Sequence, residues 1–182
     1  ECQFHIGIRL SDFYDHADAA DIRELFGLIQ QMAARFHVTL GMNENEARKF
    51  GAFFCSDPSL EEIGRQTRNS LGIFQLVIHT NRRVYGFRQD EEAAYSGMHV
   101  VHPVQATGAG DHFNAGFCAG LLENKSLQGC LVLGQAMASY YVARGATASH
   151  EELNAFMANL RRKIAQEQGI PETEVFILDK KV

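Results

Sequence analysis

Apolar residues early in the chain recur at intervals of three and four: Ile22, Leu25, Phe26, Ile29, Met32, Ala33 and Phe36. That period lines one face of a helix, and Asp21 with Glu24 three residues later supplies a capping-box start. Ahead of this helix CQFHIGIRL reads as a strand; behind it HVTLGM reads as a short buried strand ending at Asn43. Helical segments follow in NENEARKFGAFF and in SLEEIGRQTRNSLG, where Ser59 and Glu62 make a second capping box. FQLVIHT is a β-rich run, RRVYGF its hairpin partner, and MHVVHPV a further strand. A glycine turn then opens a helix that runs to about Leu122. Two more helices follow: SLQGCLVLGQAMASYYVAR and, capped by Ser149 with Glu152, EELNAFMANLRRKIAQEQ; VFILD reads as a terminal strand.

Strands that alternate with helices predict an α/β layer with a mostly parallel sheet. Ligands of such sheets sit at the carboxyl ends of the strands. Both HVTLGM with Asn43 and HVVHPVQATGAGD are strand ends that lead into helices, so they are the first places to look.

Composition narrows the field. At 182 residues the chain is long enough for one domain with a substantial core, and 46% hydrophobic with 21% charged residues is an ordinary globular balance. A formal net charge of -5 leaves no basic stripe for nucleic acid. No apolar run reaches membrane-spanning length and no signal-peptide pattern opens the chain, which predicts a cytoplasmic protein without a membrane partner. The four cysteines (Cys2, Cys55, Cys118, Cys130) are far apart and form no CxxC pair, as expected of reduced structural thiols. His99 and His102 stand three apart in a strand-like run, a spacing that puts them on opposite faces and disfavours a shared metal.

The stretch TGAGDHFNAGF, Thr107 to Phe117, holds the most specific chemistry. Gly108, Ala109 and Gly110 offer little but backbone, and Asp111 adds a carboxylate at the same place. Successive N–H groups at a helix start lack intrahelical partners and lie at the positive end of the helix dipole, so Ala109, Gly110 and Asp111 can form an anion hole. Asp111 can then take a proton from a hydroxyl that attacks phosphorus. On spacing alone a plain alternative stands beside this: Asp111 as an N-cap behind a tight turn. The run is neither a Walker A loop, since no GK[ST] follows, nor a dinucleotide GxGxxG, since Phe113 stands at the third glycine.

GAGDHFNAGF resembles the C-terminal signature of the ribokinase-like PfkB carbohydrate kinases, DTTGAGDxFxxGF. Asn43-Glu44-Asn45-Glu46, at a strand end upstream, resembles the family's NxxE motif, and ARGATAS, Ala143 to Ser149, its glycine-alanine segment beside the nucleotide. The resemblance implies a three-layer α/β/α fold with a mostly parallel sheet, and an enzyme that transfers the γ-phosphate of ATP to a hydroxyl of a sugar or nucleoside. It implies Asp111 as catalytic base, the N–H groups of Ala109, Gly110 and Asp111 as anion hole, and Asn43 and Glu46 as residues that position magnesium, partly through water. Asn81, Gly108, Gly110, Gln135 and Gly145 fall where the family binds nucleotide, with Ser149 near the monovalent-cation loop.

Departures qualify that picture. Gln105-Ala106-Thr107 replaces the usual Asp-Thr-Thr, which removes a carboxylate associated with the monovalent cation and leaves that cofactor open. His79-Thr80-Asn81-Arg82-Arg83-Val84 replaces a TxGxxG segment; Asn81 can take the left-handed conformation of the first glycine, whereas Val84 cannot cheaply do so. Arg82 and Arg83 are then either phosphate partners or solvated hairpin charges. The family's sugar-binding residues and β-sheet lid come mostly from before the NxxE motif, and nothing here resembles its N-terminal glycine motif. Residues 1–182 are therefore expected to be one α/β domain, the C-terminal nucleotide-binding part of such a kinase, with the N-terminal part and lid missing. Lid-mediated homodimers of the family leave a homodimer open. The alternative function is a catalytically degenerate member that senses nucleotide or sugar.

Overall fold

The computed structural model describes residues 5–9, 19–54, 58–96 and 100–175. In chain order the elements are β1 (His5–Arg9), α1 (Ala19–Ala33), β2 (His37–Asn43), α2 (Glu44–Gly51), α3 (Leu60–Leu71), β3 (Gln75–His79), β4 (Arg83–Phe87), β5 (Glu92–Ser96), α4 (Ala109–Leu122), α5 (Leu127–Arg144) and α6 (His150–Gln168). A 3-10 turn, Glu172–Glu174, follows. The described residues form two compact units, one reaching to Thr80 and adding Val84–Glu92, the other Asn81–Arg83 with the residues from Ala93 onward.

In the first unit the strands lie in the order β1-β2-β3-β4. β1 pairs with β2 and β2 with β3 in parallel, the second pair running from Thr39↔Gln75 to Asn43↔His79. β4 turns back antiparallel on β3, from Leu76↔Phe87 to His79↔Val84. The mostly parallel sheet and the hairpin are as the sequence predicts. Val38 through Met42 are all buried, the run expected of a strand covered on both faces rather than one. The stripe along α1 also holds: Ile22 and Ile29 are buried, and Leu25, Phe26, Met32, Ala33 and Phe36 pack against the core. The Phe26 ring stands edge-on to Phe50 at 4.6 Å and stacks on Phe54 at 5.2 Å.

A polar chain crosses this core. Gln75 Nε2 donates to Thr39 Oγ1 at 2.7 Å, and Arg88 Nε donates to Gln75 Oε1 at 2.8 Å. Arg88 also lies over the Phe74 ring, 5.5 Å from its centroid, and pairs with Glu91 at 3.2 Å. Burying the Gln75 amide is tolerable because both its ends are hydrogen-bonded.

The second unit is mainly helical, and its α4 and α5 meet backbone to backbone. A Cβ on Gly116 of α4 would lie 2.7 Å from the Leu133 carbonyl oxygen and 2.9 Å from Gly134 Cα of α5. One on Gly134 would lie 2.9 Å from Phe113. Phe113, which meets Gly134, is buried, as are Phe117, Leu127 and Leu131 of the same two helices. Gly116, the glycine of NAGF, is thus a packing residue.

Three expectations fail. α1 begins at Ala19, so Asp21 lies in its first turn rather than at its cap. MHVVHPV is not a strand over its described residues, 100–104: Pro103 has no N–H to give a ladder, and Val101 and Val104 are 72% and 68% exposed. Met98 and His99 lie outside the described residues. The unpredicted β5 lies just before it in EAAYS, where a two-alanine core gives no apolar alternation. Ser59 does cap α3, accepting the Glu62 N–H, but the Glu62 carboxylate turns to Arg65 instead of closing the box. VFILD extends outside the described residues beyond Val175. Among the described residues no helix is long and apolar enough to cross a membrane.

Candidate functional site

The turn before α4 is held in a conformation that needs glycine. Gly108 has φ 95°, in the left-handed region, and occupies the N-cap position without a side-chain cap. Its open flank is narrow as well: a Cβ there would sit 3.2 Å from the Tyr141 hydroxyl. The Ala109 N–H donates to the Ala106 carbonyl at 3.1 Å, closing the turn, and the His112 N–H donates to the Gly108 carbonyl at 3.1 Å, starting the helix. Gly110 lies in the first turn, where N–H groups have no intrahelical acceptor. Asp111 follows in the same turn with an exposed side chain. It is therefore not the N-cap that spacing alone also allowed; its carboxylate stands at the positive end of a 14-residue helix.

Side chains far away in sequence grip the turn. Tyr141 Oη donates to the Thr107 carbonyl at 3.0 Å. His112 Nδ1 lies 2.8 Å from the Gly108 carbonyl and Nε2 lies 2.9 Å from Thr147 Oγ1. The two rings stack with centroids 3.7 Å apart and planes 12° from parallel. Sequence reasoning missed His112, Tyr141 and Thr147, since no periodicity links positions 34 or 35 residues apart. The one available signal was the family-variable place after Asp111, filled here by a residue with two ring nitrogens.

The preceding segment is anchored too. Val104 and Gln105 both donate N–H groups to the Val142 carbonyl, at 2.8 and 3.3 Å, satisfying one of the carbonyls that the end of α5 leaves without an intrahelical donor. Gly145 ends α5 at φ 70° and its N–H returns to the Tyr141 carbonyl at 2.7 Å. Ser149 then starts α6 with a full capping box. The Ser149 amide, then its hydroxyl, then the Tyr140 hydroxyl hold the Glu152 carboxyl below the usual carboxylate range. Gln135 lies buried in α5.

In the first unit Asn43 and Glu46 come together at the carboxyl end of β2. Asn43 Oδ1 accepts the Glu46 N–H at 2.9 Å and Glu46 Oε2 accepts the Asn43 N–H at 2.7 Å. The pair is thus a capping box for α2. An amide oxygen and a carboxylate are the hard donors that magnesium takes. Each named oxygen already accepts one N–H, and a carboxylate can accept further bonds, so the donors fit an ion met partly through water. Among the described residues no group of three or more His, Cys, Asp or Glu is placed to hold a metal.

The β3–β4 connection departs from expectation. Asn81 is exposed, and the sole non-glycine with positive φ among the described residues is Asn124, so Asn81 does not take the left-handed conformation. With His79 paired to Val84, the hairpin closes through Thr80–Arg83 without it. Arg82 and Arg83 are exposed, and Val84 is fully buried in β4.

Strands feeding helices in a mostly parallel sheet, and a glycine turn with an acid opening α4, agree with the ribokinase-like, PfkB-type carbohydrate kinase class, which the comparisons with known proteins support. Solved structures agree on the fold. Ribokinase from Thermotoga maritima matches with TM-score 0.60 at 23% identity, covering 72% of this chain and 53% of that one. A mutant of phosphofructokinase-2 from Escherichia coli matches with TM-score 0.63 at 16% identity, covering 86% and 56%. At these identities the likeness is one of fold. The chain belongs to the prokaryotic ketohexokinase family, whose model matches residues 13–160. A curated relative, ketohexokinase from Haloferax volcanii, is 27% identical over 99 residues, 53% of this chain and 26% of the relative. The chain thus spans about a quarter of that relative and about half of the two solved chains.

Proposed function

We propose that residues 1–182 act as a single nucleotide-binding part of an ATP-dependent ketohexose kinase. The observation that carries this reading is Asp111, exposed in the first turn of α4 directly behind the left-handed Gly108. The substrate class follows the family description and the name of the curated relative. In the proposed step Asp111 accepts the proton of the sugar hydroxyl while that hydroxyl's oxygen forms a bond to the γ-phosphorus. The bond from that phosphorus to the β–γ bridging oxygen breaks, and ADP leaves with the electron pair.

The Gly110 and Asp111 N–H groups bear charge that develops on the phosphoryl oxygens. Ala109 joins them only by giving up its bond to Ala106. Asn43 and Glu46 would hold magnesium, in part through water, and the ion would supply positive charge toward phosphate. Asn81, Gly108, Gln135 and Gly145 serve the nucleotide, which the cytoplasm supplies. An ADP-release assay on the intact protein with a panel of ketohexoses, other sugars and nucleosides tests this. Asp111→Asn should lower kcat by several orders of magnitude; turnover that survives the substitution would sink the reading.

The glycine-free His79–Val84 hairpin favours a second reading, a degenerate member that binds without catalysis. Its signature in the same assay is ATP or sugar binding with wild type and variant equally silent.

A further inference from the structure

Two consecutive carbonyls of the glycine turn, Thr107 and Gly108, are each held by a side chain, and those two side chains stack on one another. A trans peptide points its C=O and N–H in opposite directions. Fixing the Thr107 and Gly108 carbonyls therefore fixes the N–H vectors of Gly108 and Ala109. A carbonyl only accepts, so His112 Nδ1 carries the proton toward Gly108, and in the neutral ring Nε2 accepts from the Thr147 hydroxyl. The ring is thus a strut: one nitrogen on the turn before α4, the other on the loop between α5 and α6.

We propose that His112 is a positioning residue that couples the TGAGD turn to the Gly145–Ser149 loop, so that the order of one enforces the order of the other. The proposal rests on the kinase reading only for its catalytic consequence; the coupling itself is a property of the free protein. The partner loop runs from the left-handed Gly145 to the Ser149 cap, and Thr147 is the residue of that loop bound to His112. Tyr141 completes the assembly, since it stacks on His112 and gives its hydroxyl to Thr107 while its own carbonyl takes the Gly145 N–H.

Side-chain geometry supplies a discriminating set of variants. An Asn amide nitrogen falls near imidazole Nδ1 and reaches only Gly108; a Gln amide group falls near Nε2 and reaches only Thr147. Phe keeps the stack on Tyr141 and loses both bonds. Residue-resolved amide hydrogen exchange on the intact, ligand-free protein should show faster exchange at residues 145–149 in His112→Asn. Adding Thr147→Val to His112→Asn should change little more, because the bridge is already cut. Effects that simply add, or a loop that exchanges at the wild-type rate, overturn the coupling.

Where turnover is measurable, Asn and Gln should each lower kcat by roughly tenfold or more, the scale of a misplaced reacting group, with KM for the sugar held. His112→Phe that keeps wild-type kcat also overturns the proposal, because stacking alone would then suffice. A protein silent with every acceptor defeats the kinase reading, and the exchange result still decides the strut.

Discussion

At the carboxyl end of β2 the chain presents two side chains, Asn43 and Glu46, that fix each other through reciprocal bonds to backbone N–H groups. At the start of α4 it presents backbone itself, shaped by a left-handed glycine and held by His112 and Tyr141. The first arrangement is local, closed within four residues, and sits on a strand whose interior is wholly buried. The second draws on three elements and depends on how closely α4 and α5 approach. A site made of side chains tolerates change around it as long as its cap survives. A site made of backbone inherits every displacement of the helices behind it.

The sharpest way to break that contrast is to add one methyl group to a helix in each unit. Alanine is worth up to about 1 kcal/mol over glycine in a helix interior. At Gly27 of α1 nothing lies within 4 Å of the new Cβ, so Gly27→Ala should stabilise by about that amount. At Gly116 the same atom meets the Leu133 carbonyl oxygen at 2.7 Å and Gly134 Cα at 2.9 Å, both backbone. Overpacking costs typically about 1–3 kcal/mol, and rigid neighbours put this case at the upper end. Gly116→Ala should therefore lose net stability of about 2 kcal/mol in denaturant titration. Equal gains at both glycines would mean that the helices yield and the contrast is empty.

A smaller effect tests the side-chain site. Asn43→Ala removes the cap acceptor and should cost about 1 kcal/mol, whereas Asn43→Asp keeps an acceptor and should hold the midpoint. If the Asp variant falls as far as the Ala variant, the box is not what secures this strand end. The smallest effect lies at the edge of the first unit. Arg65 grips Glu92 through two bonds, at 2.7 and 3.0 Å, and holds its carboxyl below the usual range against the opposing effect of burial. A depressed carboxyl stabilises the fold above its unfolded pKa, and that contribution is lost as pH falls through the folded value. The pair is exposed, so the contribution stays below about 1 kcal/mol. The gap in unfolding midpoint between wild type and Glu92→Gln should shrink as the solution is acidified; a gap that widens would refute the assignment.

Much of the fold was legible because it is written in nearby residues. The α1 stripe, the unbroken apolar run of β2 and the Ser149–Glu152 box each carry their physics within one or two turns. The glycine turn was legible for the same reason: its φ demands a residue without a side chain, and the acid stands three positions on. Pro103 was the overlooked local signal that denies MHVVHPV a ladder. Asn81 misled, since a residue that tolerates the left-handed region is not obliged to enter it. The strut through His112 was beyond reach, because its partners meet only once α4 and α5 have packed.

The Thr39–Gln75–Arg88 chain has a consequence for folding itself. Thr39 and Gln75 are partners across a parallel pair, and side chains alternate faces along a strand. If β3 slid by one residue against β2, the Gln75 amide would swing to the opposite face and Leu76 would stand opposite Thr39. Apolar burial discriminates less sharply, because Leu76, Val77 and Ile78 are all buried, on both faces of the strand. The amide notices, since an unpaired one in the interior costs roughly 1–3 kcal/mol. Gln75 thus proofreads the alignment of a sheet whose greasy residues tell right from wrong less sharply.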